Sequence, residues 1–311
     1  MIDLIVKALA YSSCIGLGAA SVSIIYTTAR TWNFVLASML AWGFYIVFSF
    51  TSIYGGTPYL YVPIATLFSG LLGLITYFTV NRRLLKTKAN EATLMMSTLG
   101  VDLILYGFLN VFSDYLLNVY KIPSKYFVLE TKDVILSLGG LQVRTIGIVA
   151  PAILVISVIV LNRFLTKTKL GIAMRATIEN PELAGALGIN SEVVYALAWL
   201  IGGMLAGLSG GLLSLIISGY TSVGMFIMVT FFAGAIVGGV YSIYGSLLGG
   251  LLVGLGEYIG VYLMSVYVGG WVSAYRPVFP MAVLATALLI LPEGLVSIQW
   301  GKFLRLRGVK K

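Results

Sequence analysis

Apolar residues along this chain come in long blocks, without the alternation of soluble strands or the one-sided stripe of soluble helices. Predominantly apolar windows fall at about 4–28, 33–53, 58–80, 93–113, 146–166, 193–217, 225–240, 245–266 and 277–298. A helix needs about 20 such residues to cross a hydrocarbon core of about 30 Å. Residues 193–217 and 277–292 contain no Asp, Glu, Lys or Arg. The pattern predicts an all-α polytopic membrane protein, a single transmembrane domain over 1–311. Nine spans is the central count and eight to ten stay open, because Gly238, Gly239 and Gly245 interrupt the seventh and eighth windows. Between them, Val240-Tyr241-Ser242-Ile243-Tyr244 reads as a tight turn or a re-entrant segment. Residues 4–28 have no basic leader and no small-residue cleavage site, so they read as a retained span.

Charge placement adds an orientation. Of 20 basic residues, 14 follow odd-numbered windows: Arg30; Arg82, Arg83, Lys86 and Lys88; Arg163, Lys167, Lys169 and Arg175; and the tail Lys302, Arg305, Arg307, Lys310 and Lys311. The other side holds Lys7, Lys121, Lys125, Lys132, Arg144 and Arg276. The positive-inside rule then puts the N-terminus outside and the C-terminus inside. The net charge of +9 is a topology signal, with the cations placed to meet the lipid bilayer's anionic headgroups and not a nucleic acid. Two loops are long enough to engage partners, the outer loop 114–145 and the cytoplasmic loop 167–192.

Composition narrows the chemistry. With 59% hydrophobic and 10% charged residues, this is no soluble enzyme. There is no histidine, which removes imidazole as base, ligand or pH switch, and the single Cys14 sits in an apolar run and packs as a small hydrophobe. Neither a metal site nor a catalytic residue is expected on this chain. Two carboxylates, Asp102 and Glu257, fall deep in the fourth and eighth windows, where an exposed charge costs on the order of 2.5 kcal/mol or more. Each must face protein or water, either as a structural hydrogen-bonded or ion-paired group or as part of a solute pathway. Ser97, Thr98 and Tyr106 share helical spacing with Asp102. Asn33, beside Trp32 at a span entrance, reads as an interfacial anchor or a pathway residue. Glycines repeat at four-residue spacing as Gly203-Gly207-Gly211, Gly234-Gly238, Gly245-Gly249, Gly250-Gly254 and Gly256-Gly260, the pattern that lets membrane helices pack closely and slide.

The sharpest local signal lies in the loop 167–192. Asn180 suits an N-cap, Pro181 the first helical position, Glu182 the positive helix end, and Gly188 a left-handed stop. A two-turn helix follows, with Leu183, Ala184 and Leu187 expected on one apolar face. Such a face either lies on headgroups or fits a socket on a partner.

These residues resemble the permease subunit of ABC importers for branched-chain amino acids. The resemblance rests on Glu179, Ala184, Gly188 and Ile189 in a Glu-x-x-x-x-Ala-x-x-x-Gly-Ile turn after Arg175, followed by Ala206-Gly207-Leu208-Ser209-Gly210-Gly211. It continues through Gly238-Gly239 to Gly245-Ser246 and Gly249-Gly250 to Gly254, and closes at Leu291-Pro292-Glu293-Gly294-Leu295. It implies that Arg175, Glu179, Pro181, Leu183, Ala184, Leu187, Gly188 and Ile189 couple to a separate ATPase that holds ATP and Mg. It also implies a second permease subunit, an extracytoplasmic solute-binding protein and an amino acid substrate at a multi-pass protein of the cell membrane. Asn33, Asp102, Tyr106 and Glu257 become pathway candidates. The family's Asn-Phe-Ala-His-Gly is replaced by Asn33-Phe34-Val35-Leu36-Ala37, which leaves substrate choice open to urea, amides or sugars. No P-loop is present, since Gly301-Lys302 is followed by Phe303. An ion-driven secondary transporter is the alternative that the two buried carboxylates and broken helices allow.

Overall fold

The computed structural model describes residues 2–138, 141–290 and 294–295. Among them the chain forms α1 (Ile2–Ala29), α2 (Leu36–Tyr54), α3 (Val62–Thr76), α4 (Arg82–Lys86), α5 (Glu91–Val119), a hairpin of β1 (Ile135–Leu138) and β2 (Leu141–Arg144), α6 (Ile146–Lys167), α7 (Lys169–Glu179), α8 (Pro181–Ala186), α9 (Ser191–Leu213), α10 (Val223–Gly238), α11 (Ile243–Tyr267) and α12 (Val278–Ile290). A π-helical turn, Tyr77–Asn81, joins α3 to α4, so that Pro58–Lys86 runs as one span.

Seven of these helices are long and apolar enough to cross a membrane, in place of the nine expected. The seventh window forms a shorter helix, and the ninth is described only in part. α10 has 16 residues, about 24 Å at the α-helical rise. It stops at Gly239, whose φ of +103° only glycine adopts readily. α12 is described over 13 residues, and the rest of the ninth window lies outside the described residues, as do Leu291, Pro292, Glu293 and the basic tail. Of the two readings of residues 240–244, the tight turn is the one observed: Ser242 Oγ caps α11 by accepting the Gly245 N–H (3.1 Å). The fourth window extends to Val119, so Asp114 is helical and the loop after it is shorter than 114–145.

Burial sorts the helices into an inner and an outer set. The apolar stretch of α1 is 94% buried, and those of α2 and α9 are 78% and 72% buried, against 22% for α5 and α6. Small residues make that inner set possible. A Cβ on Gly43 would stand 2.8 Å from the Gly207 Cα, and one on Gly203 would press the Ser69 carbonyl. Against α1, a Cβ on Gly250 would meet the Gly16 Cα at 2.7 Å, and one on Gly254 the Ser12 Cα at 2.7 Å. Gly249 abuts Gly238, whose own face meets the Gly245 carbonyl, and Gly211 lies beside Val47. With backbones this close, dispersion contacts and the absence of side-chain entropy hold helices that lipid would otherwise solvate equally well.

The two loops singled out from sequence lie at opposite ends of the bundle. At one end the Arg30 guanidinium sits 5.0 Å from the Tyr241 ring centroid, Glu192 pairs with Arg82 (2.6 Å) and Lys86 (2.9 Å), and Tyr244 donates to Asn162 (3.0 Å). α7 and α8 belong to this end. At the other, Glu130 pairs with Lys7 (3.0 Å) and Arg144 (3.2 Å), Tyr59 donates to Asp133 (2.7 Å), and Phe127 bridges to Gly219.

Candidate functional site

Local rules build the α7–α8 elbow. Thr168 Oγ1 accepts the Gly171 N–H (3.0 Å) at the start of α7, and Asn180 Oδ1 accepts the Leu183 N–H (3.0 Å) with Pro181 at the first position of α8. Gly188, at φ +83°, ends it: the Ile189 N–H returns to the Ala184 carbonyl and the Gly188 N–H to Gly185, both at 3.0 Å. This is the six-to-one, five-to-two closure that satisfies a helix's last carbonyls. Leu183 and Leu187 project outward at 59% and 74% exposure. Ala184 does not join them. It is 2% exposed, because it lies about 100° around the helix from Leu183 and turns toward the elements behind α8, where Ile189 also packs. The expected three-residue face is thus a two-leucine knob. Glu182 is exposed beside it, and Arg175 and Glu179 are exposed one turn apart on α7.

Behind the elbow opens a cleft of about 690 Å³ between α6, α7 and the turn before α11, lined among others by Asn162, Ile172, Arg175, Glu179, Tyr241 and Tyr244.

Asp102 serves as a cap supplied from another helix. α2 starts at Val35, which has no capping side chain. Asp102 Oδ1 instead accepts the backbone N–H of Ser38 (3.0 Å) and its hydroxyl (2.5 Å), and one turn earlier Thr98 Oγ1 accepts the Phe34 N–H (3.2 Å). A carboxylate at the positive end of a helix satisfies orphan donors and the macrodipole together. Asp102→Ala is expected to lower stability by about 1–2 kcal/mol, and Asp102→Asn, which keeps an acceptor, by less; thermal unfolding in detergent measures both. Tyr106 is half-buried, with its carbonyl accepting from Asn110 (2.9 Å). Asn33 is 1% exposed: its Oδ1 accepts the Val35 N–H (3.0 Å) to fold the chain into α2, and its Nδ2 is buried with no partner among the described residues.

Glu257 is 1% exposed and fully engaged. Its carboxylate accepts from Tyr11 Oη (2.8 Å), Thr230 Oγ1 (2.9 Å) and Arg276 Nε (2.5 Å). The guanidinium lies 4.2 Å from the Tyr11 ring centroid and 5.6 Å from that of Tyr258. One cluster therefore joins α1, α10, α11 and the segment after Gly270–Tyr275. Charge placement along the chain assigns Arg276 to an outer loop and gives it no partner. The available signal was its position: a carboxylate inside a span demands a cation, and Arg276 is the basic residue nearest to Glu257 along the chain.

A family model described as "Branched-chain amino acid transport system / permease component" matches residues 4–291. The chain belongs to this family. It is the membrane-spanning permease subunit of an ABC importer, a multi-pass membrane protein, and ATP is hydrolysed on a separate ATPase. A probable branched-chain amino acid transport permease protein LivH of Methanocaldococcus jannaschii is 33% identical to this permease over 299 residues, 96% of this chain and 93% of that one. The high-affinity branched-chain amino acid transport system permease protein LivH of Escherichia coli K12 is 31% identical over 145 residues, 46% of this permease and 44% of that relative. The BraD permease protein of Pseudomonas aeruginosa is 27% identical over 164 residues, 52% and 50% of the two chains. No solved structure matches the permease.

Proposed function

We propose that this permease carries branched-chain or similarly hydrophobic amino acids inward, with its N-terminus outside and the α7–α8 elbow in the cytoplasm. A solute-binding protein delivers the amino acid to the end carrying Lys7, Glu130 and Arg144. ATPase subunits grip the elbow, and a second permease subunit completes the pathway. The observation that carries the coupling role is the Leu183–Leu187 knob, two exposed apolar side chains on a helix capped at both ends by its own sequence. A helix that rigid transmits displacement, where an uncapped turn of this length would fray. ATP binding then biases the bundle between outward-open and inward-open states, along helices whose glycine contacts offer little resistance to sliding.

Orientation is supported by the basic end of the bundle, where Arg30, Arg82, Lys86 and the elbow gather. Asp102 and Glu257 both spend their acceptors on protein donors, so neither is assigned an ion-coupling role.

The test is reconstitution in liposomes with ATPase and binding-protein partners. Uptake of radiolabelled leucine is expected to need ATP and both partners, and to be competed by valine and isoleucine. Uptake by the permease alone under a proton or sodium gradient would establish the secondary-transporter reading instead. Competition only by urea, amides or sugars would reassign the substrate.

A further inference from the structure

The cleft behind the elbow has features that close packing does not explain. Its volume of about 690 Å³ lies within the range of small-molecule sites, roughly 300–1,000 Å³. Leu165, Ile172 and Ile178 give it an apolar wall, and Tyr241 and Tyr244 an aromatic rim. Two full charges of opposite sign, Arg175 and Glu179, line it from one face of α7. Four residues apart, their Cβ atoms are about 5–6 Å from each other, yet among the described residues neither side chain forms an ion pair or a hydrogen bond. An unpaired guanidinium and an unpaired carboxylate beside an apolar wall complement a ligand that carries both charges and a hydrocarbon group.

We propose that this cleft binds a small zwitterion with a branched apolar side chain, the amino acid that the permease releases at this end. Arg175 takes the carboxylate, Glu179 takes the ammonium, and Leu165, Ile172 and Ile178 take the side chain. This rests on the amino-acid importer reading. Because α7 runs through Asn180 directly into α8, a ligand held here contacts the helix that leads to the knob, so the site reports product concentration to the coupling elbow. An aminophospholipid headgroup carries the same pair of charges, and the test separates the two.

The single native cysteine makes the test site-specific. Cys14 is fully buried, so a maleimide reads an introduced thiol. In the full-length chain, purified in lipid-free detergent, L-leucine is expected to slow labelling of the Ile172→Cys variant several-fold. It is expected to leave unchanged the labelling of Leu170→Cys, which is exposed on the same helix and does not line the cleft. 4-Methylpentanoate and isopentylamine, each lacking one charge, should not protect, and adding Arg175→Gln or Glu179→Gln to Ile172→Cys should abolish protection by leucine. Labelling indifferent to leucine, or equal protection by the singly charged analogues, overturns the proposal. So does protection by phosphatidylethanolamine in mixed micelles without protection by leucine, which would assign the cleft to lipid. If reconstituted transporter imports leucine while leucine gives no protection, the cleft proposal alone falls. If it imports no branched-chain amino acid, the substrate reading falls, and the labelling result still decides what the cleft binds.

Discussion

Glu257→Ala is expected to destabilise the permease by about 3–5 kcal/mol, the usual cost of removing one partner from a buried ion pair. The variant leaves the Arg276 guanidinium without its carboxylate at 2.5 Å, and deprives the Tyr11 and Thr230 hydroxyls of their acceptor. Arg276 cannot simply swing into water, because its charge is packed against the rings of Tyr11 and Tyr258. Three helices and the segment after Gly270–Tyr275 lose their common anchor together. The measurement is thermal or denaturant unfolding in detergent, together with the yield of monodisperse protein. Glu257→Gln retains hydrogen-bonding capacity toward Tyr11 and Thr230 and is expected to lose less. The double variant Glu257→Leu with Arg276→Leu, which removes both charges, is expected to recover much of the loss, and the cycle gives the coupling energy directly. An unchanged unfolding midpoint in Glu257→Ala would mean that the pair is absent from the folded protein.

Leu183→Asp and Leu187→Asp are expected to abolish substrate-stimulated ATP hydrolysis in the assembled transporter, while the permease folds with a stability change within about 0.5 kcal/mol. Both side chains are exposed, so their replacement disturbs no internal packing. What changes is the chemistry offered to the ATPase, a charge where an apolar socket expects leucine. Ala184 and Gly188 fail differently. Ala184→Glu forces a charge into a 2% exposed position, and a charged side chain at Gly188 must adopt φ +83°, so both lose the shape of the elbow itself. Co-purification of the ATPase distinguishes the two cases: the leucine variants lose it with an unaltered unfolding profile. Normal ATP hydrolysis by Leu187→Asp would reject the knob as the point of contact.

The elbow was legible residue by residue, because every determinant lies within a few positions of what it acts on. Asn180, Pro181 and Gly188 each set the backbone at their own place in the chain. The assignment of Ala184 to the knob failed because spacing alone does not say which side of a two-turn helix faces the bundle. Asp102 was legible as a carboxylate needing protein around it. That it caps α2 was not, since Ser38 stands 64 residues away in sequence. The same holds for Tyr11 and Glu257, separated by 246 positions.

By itself, then, the sequence determined the membrane class, the long helices, the opposed ends of the two loops and the elbow's caps, all consequences of hydropathy and of local backbone preference. Tertiary structure alone decided that the seventh apolar window forms a helix of only 16 residues, that Arg276 neutralises Glu257, and that Arg175 and Glu179 share a cleft. The physical reason is range. Transfer free energy and capping act on neighbouring residues and are written in order along the chain, whereas a buried charge is satisfied by whichever partner the packing of glycine-lined helices brings within hydrogen-bonding distance.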